Sequence, residues 1–213
     1  IFVRALAIGP QVNIFHYEPT RPMHERYQVD SNFLSAEHVA EATAVVKTIN
    51  AFFRWEFNSC ESILKNGVLQ PIDFANACPD VAIVSLHYYF PWAIKSLLAW
   101  SLFCLATDRR MRLDMNTEDY FAIADSERSY PEKLAAYEAL ADAFFDTERF
   151  AEFRATQLGH LDAAMWELAQ SQEFDAMLVH NVRLIFPPHE QEQFIAHFRG
   201  LIRAWVQAEA QHP

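Results

Sequence analysis

The sequence predicts a mainly α-helical protein, a helical bundle preceded by a small N-terminal β element of two or three short strands. Three observations carry that expectation. Apolar residues make up 52% of the 213-residue chain and aromatics 14%, with only 4 Gly, a composition suited to packed helices. From Ala36 onward the apolar residues recur at spacings of three and four, so each helix presents one apolar stripe and must pack on a neighbour. Residues 1–30 instead carry β-prone runs punctuated by Gly9-Pro10, Pro19 and Pro22. The expected organisation is a small β element or hairpin over 1–30 and one α-helical unit over 31–213.

Taken in order, Phe2–Ile8 and Val12–Tyr17 read as strands around a turn, with Arg26–Val29 as a third. In the second strand Val12 and Ile14 share one face, while Asn13, Phe15 and Tyr17 share the other. Ser35 stands as an N-cap, flanked by Leu34 and Val39 as a hydrophobic staple. The helix from Ala36 carries Val39, Thr43, Val46, Phe53 and Phe57, and is predicted to end before Asn66-Gly67, where glycine suits the left-handed C′ position. Pro71 and Pro79 bracket a connector. Val81–Ala106 is the most apolar run, predicted to be central, buried and bent at Phe90-Pro91. Its first part, Val81–Tyr89, fits a buried strand as well as a helix. The run is long enough to cross a bilayer, but Lys95 and Pro91 in mid-run argue against a membrane partner. Thr117 marks a short helix, Pro131 opens another through Phe145, Asp146 caps the next, and Ser171 precedes Gln172–Phe186. After Pro187-Pro188 a last helix runs almost to the end.

Composition narrows the function. A net charge of −11 opposes binding to nucleic acid, and the one basic cluster, Arg109-Arg110-Met111-Arg112, reads as a helix end. Neither common glycine-rich phosphate loop is present. Cys60, Cys78 and Cys104 form no CxxC pair, which suits reduced thiols and a cytoplasmic setting. No catalytic motif stands out, since G-x-S-x-G is missing and the cysteines lack a neighbouring base. The Glu-x-x-His pairs of di-iron bundles do not occur; only the reversed pairs His38/Glu41 and His189/Glu192 do, with His160 and Glu167 two turns apart on one face. No metal ligand and no cofactor is expected in this chain.

The remaining constellation is His180, Arg183, Phe186 and His189. His180 and Arg183 lie one helical turn apart beside Pro187-Pro188. Arginine there can clamp a carboxylate, and the aromatic and proline surfaces can hold a peptide or partner. The plainer alternative is a helix terminus at which Arg183 pairs with an acidic neighbour. With the strand Val12, Asn13, Ile14, Phe15 and Tyr17, whose edge could pair with an extended chain, these residues form the candidate peptide or partner site.

Leu184-Ile185-Phe186-Pro187-Pro188-His189-Glu190, followed by Phe198-Arg199-Gly200-Leu201-Ile202-Arg203-Ala204-Trp205, resembles the tail of small accessory subunits of barrel-type iron oxidases. Those enzymes modify peptide cysteines, as in methanobactin biosynthesis. The resemblance covers about the last thirty residues. It implies a non-catalytic subunit in peptide natural-product biosynthesis, one that holds a peptide substrate through a β element and a partner enzyme subunit that carries the iron. Two other classes remain open on the residues: a helical enzyme or bundle binding a small molecule, metal or haem, and the ligand-binding part of a regulator whose DNA-binding head lies elsewhere.

Overall fold

In the computed structural model, which describes residues 1–114 and 116–210, β1 (Phe2–Ile8) is the middle strand of a five-stranded sheet. β2 (Gln11–Tyr17) flanks it on one side and is followed by the two-residue β3 (Tyr27–Gln28). On the other side lie β4 (Phe57–Lys65) and β5 (Val68–Ala77), in the order β3-β2-β1-β4-β5 with every pair antiparallel. Helix α1 (Ala36–Phe53) connects β3 to β4.

The first hairpin forms as the sequence implies. Ile8 pairs with Gln11, so the turn has two residues, and Gly9 takes φ 56 at its first position. The Trp100 indole packs where a Gly9 side chain would stand, so glycine is needed there for both conformation and space.

The second hairpin corrects the sequence reading. The predicted helix to Asn66 stops at Phe53, where Arg54 enters the left-handed region at φ 62, and Phe57–Ala77 turns into β4 and β5. Asn66 (φ 54) and Gly67 (φ 75) form the hairpin turn rather than a helix cap. Pro71 lies within β5, an edge strand whose outer side has no strand partner among the described residues to miss its N–H. The sheet therefore draws on both 1–30 and the region beyond, and the β part is a layer of the molecule, not a cap on a bundle. Helices still account for 57% of the structure.

The near-continuous apolar run of β1 follows from burial on both faces. Val3, Ala5 and Ala7 face α1 and meet Ala42 and Val46. Leu6 and Ile8 face the opposite layer, made by α2 (Ile83–Leu86), a 3-10 turn His87–Tyr89, α3 (Phe90–Ala106), α8 (Gln172–Ile185) and α9 (Gln191–Glu209). Between them run α4 (Glu118–Ala124), α5 (Tyr130–Phe145), α6 (Thr147–Gln157) and α7 (Leu161–Leu168). Ile8, Ala51, Trp100, Phe103, Phe145 and Phe150 join α1, α3, α5 and α6 into one packed end.

Val81–Tyr89 holds no strand: Ile83–Tyr89 is helical, and α3 begins with Pro91 at its first turn. Ile83–Ala106 is long and apolar enough to span a membrane, and half of it is buried within the protein. The run is not buried throughout: Ala93, Ala99, Trp100 and Phe103 point inward, while Leu98, Leu102 and Leu105 form an exposed stripe. Ser35 and Ser171 cap their helices through their hydroxyls. Thr117 and Asp146 occupy N-cap positions without a side-chain cap bond, and Ser129 with Glu132 forms a capping box.

Candidate functional site

The candidate strand has one open edge. Closure of the two-residue turn on Ile8/Gln11 makes Leu6/Asn13 and Arg4/Phe15 the next hydrogen-bonded pairs with β1. Val12, Ile14 and His16 therefore direct their N–H and C=O groups the other way. β3 meets that side only at His16 and Tyr17, and the same parity carries Glu18 N–H onto Arg26 O at 2.8 Å. Among the described residues no strand meets Val12 or Ile14 there. The edge is anchored at its start by Gln11, whose side-chain amide donates to Ser96 O at 2.9 Å.

The side chains divide as the alternation predicts. Val12 and Ile14 pack towards α1, half-buried. Phe15 is fully buried against Tyr27, Tyr89 and Trp92, with ring centroids at 5.5, 4.6 and 6.3 Å, so its ring is core and touches no ligand. Tyr17 lies against Phe2 and Tyr27, with the Arg4 guanidinium 5.6 Å from its ring centre. Asn13 is half-buried on the same face.

At the double-proline corner, α8 turns inward with Phe174, Leu178 and Val182, four residues apart, which leaves His180 and Arg183 on its exposed side. Phe186 is extended (φ −98, ψ 145), as a residue before proline must be. Its carbonyl accepts from Gln191 Nε2 at 2.9 Å, and its ring stacks on Phe194 at 3.8 Å. His189 is 77% exposed beside Glu190. Arg183 has no ion-pair partner among the described residues, contrary to the helix-end alternative in which it pairs with an acidic neighbour.

A segment that sequence reasoning passed over links the corner to β3. The short 3-10 turn Met23–Glu25 leads into β3, and His24 packs edge-on to Phe194 (4.7 Å) and His197 (5.5 Å). Tyr89 Oη donates to Gln28 O at 2.8 Å and pins β3 to the helical layer. His87 approaches the Tyr27 ring at 6.1 Å. Phe186, Phe194 and His24 thus pack ring against ring at the corner, and His87, Tyr27 and Phe15 at the strand, on one continuous core.

Three histidines gather along it, from Met23–Glu25, from the 3-10 turn after α2, and from α9. His87 is 1% exposed, and its backbone sits at φ 38, ψ −103, a conformation rare outside glycine. Its Nδ1 accepts from Tyr88 N–H at 2.8 Å, so the neutral ring carries its proton on Nε2, which has no hydrogen-bond partner among the described residues; His197 Nε2 is likewise buried and unpartnered among them. Burial, then the neighbouring His197 and His24, pulls the His87 pKa down to about 4. His24 is lowered by burial and by His197, against opposing pulls from Glu25 and Glu190. Since His87 spends its Nδ1 lone pair on a backbone donor and carries its proton on Nε2, its ring has no free lone pair to offer a metal. Among the described residues no group of three or more His, Cys, Asp or Glu is placed to hold a metal. Of the reversed pairs, His38/Glu41 is engaged elsewhere, His38 with Ser35 and Gly67 O and Glu41 with the Tyr130 hydroxyl. Cys60 and Cys104 are pushed up to about 11, mainly by burial, so neither is a ready thiolate.

Comparison with known families, curated proteins and solved structures finds no match to this chain. The site is therefore read from its own geometry.

Proposed function

We propose that the chain is a non-catalytic binding subunit that holds an extended peptide by strand addition to β2. The observation that carries this reading is the unpaired edge at Val12 and Ile14, beside a β3 too short to cover it. Such an edge supplies backbone donors and acceptors in register, and the exposed Arg183 with His180 and His189 offers polar contacts at the double-proline corner. The likeness of Leu184–Glu190 and Phe198–Trp205 to accessory subunits of peptide-modifying iron oxidases supplies the class of occupant: a peptide substrate, with the iron in a partner enzyme.

The test is Ile14→Pro, which removes one outward N–H while leaving the bonds to β1 intact. Titration of labelled candidate peptides by fluorescence polarisation should show binding weakened by about tenfold, the scale of one lost hydrogen bond with its distorted neighbours. Arg183→Lys keeps the charge and removes the planar fork, so it separates a clamped carboxylate from mere attraction. Unchanged peptide affinity in Ile14→Pro, with an unchanged circular dichroism spectrum, would refute strand addition.

A further inference from the structure

A second site lies at the opposite end of α3, around the basic cluster that the sequence suggests is a helix end. Arg109, Arg110 and Arg112 follow α3 without belonging to it. With Phe103, Thr107, Asp146 and Arg149 they line a recess of about 210 Å³.

The charge there is poorly matched from within. The guanidinium carbons of Arg54, Arg109 and Arg112 lie 5.3, 5.2 and 5.7 Å from the centre of a single ring, Phe144. Arg54 is satisfied by backbone carbonyls, at Asp114 O (2.9 Å) and Asn116 O (3.1 Å). Arg109 donates to Phe144 O at 2.9 Å and approaches Glu56 Oε1 at 3.3 Å, but its buried Nε has no partner among the described residues. Arg112 makes no ion pair or side-chain hydrogen bond among the described residues. The contacts of Arg110 with Asp108 and of Arg149 with Asp146 are both 3.5 Å and exposed, a kind worth little. In a chain of net charge −11, carboxylates to neutralise these arginines were abundant, yet the recess is lined by four guanidiniums and one carboxylate.

We propose that this recess binds an oxyanion, a phosphate or carboxylate group held between Arg109, Arg112 and Arg149. Arg109 forms the fixed floor, its plane held by the Trp100 and Phe144 rings, with Trp100 at 5.1 Å. Arg112 and Arg149 form the exposed rim, where each can present a planar fork to the ligand. The volume suits one such group and not a nucleotide. The anion can arrive free, as phosphate, or on an acidic side chain of a bound chain. This site is independent of the strand edge.

The experiment is calorimetric titration of the whole chain with sodium phosphate, and separately with an oligoglutamate peptide, against sodium chloride at equal ionic strength. Saturable binding of phosphate identifies a free-anion site, and binding of the peptide alone identifies a site for acidic side chains. In either case Arg112→Gln and Arg149→Gln should each weaken binding by about tenfold, with Arg112→Lys between, as expected for loss of a charge-assisted hydrogen bond. Both positions are exposed, so the variants keep the fold, which circular dichroism verifies. The proposal is overturned if neither anion binds beyond the chloride control, or if the glutamine variants bind as tightly as the parent.

Discussion

Lowering the pH should unfold this protein earlier than its carboxylates alone require, because of His87. The ring is buried with its Nε2 unpartnered, and its pKa falls from 6.5 to about 4. A base whose pKa is depressed by folding is protonated more readily in the unfolded chain, so the unfolded state takes up the proton first. The resulting stability is intact above pH 6.5 and is lost progressively as pH falls towards 4. At 1.36 kcal/mol per pKa unit the full loss is roughly 3 kcal/mol, a large part of a typical folding free energy. His24 contributes in the same direction, while Glu25 and Glu190 moderate it. The lowered carboxylates Asp162 and Asp175 lose their stabilising contribution only below about pH 4, outside this window. The measurement is urea unfolding at pH 7.5, 6.5, 5.5 and 4.5 on the parent and on His87→Gln, which does not titrate. The parent should lose stability steeply below pH 6.5, and the variant should show a shallower slope by up to one proton. Identical slopes would mean that His87 is not held neutral by the fold, and the reasoning from its burial would fail.

Two more outcomes are expected. Gly9→Ala should cost more than about 3 kcal/mol by thermal or urea unfolding, since the new methyl meets the Trp100 indole at a positive φ; a smaller cost would show that the hairpin and α3 separate easily. Brief iodoacetamide treatment of native protein at pH 8 should label the exposed Cys78 and spare Cys60 and Cys104, whose thiols burial raises to about 11; peptide mass mapping that finds Cys60 labelled as fast as Cys78 would contradict that packing.

The first hairpin was legible because its evidence is local: a two-residue turn with glycine, flanked by runs whose faces separate by alternation. The caps at Ser35 and Ser171 were legible for the same reason. The second hairpin was not. Asn-Gly serves a helix terminus and a hairpin turn alike, since both need positive φ, and the residue that decides between them is Arg54, a non-glycine at φ 62 that carries no sequence mark. Phe57–Lys65 also hides its strand character, because bulges around Ser59, Glu61 and Ser62 break the alternation. At the site, sequence placed Val12–Tyr17 and the corner correctly on separate elements but counted Phe15 as a contact residue, when only burial on the second face distinguishes it from Tyr17. His24, His87 and His197 come from three distant segments, and nothing in their spacing brings them together.

The central place of β1 bears on how the chain is made. β2 follows β1 after two turn residues and can zip onto it at once, but β4, its other neighbour, pairs Phe2 with Ile63 and Ile8 with Phe57. During synthesis from the N-terminal side, one flank of the most apolar strand thus waits for all of α1 and most of β4 to leave the ribosome. Until then that flank is a template for whichever strand arrives first, including β4 of another nascent copy. Closing so long a loop is also slow relative to the hairpin. Exchange of the Phe57–Ala77 hairpin between two chains is the misassembly this order of synthesis favours, and dilution is what suppresses it.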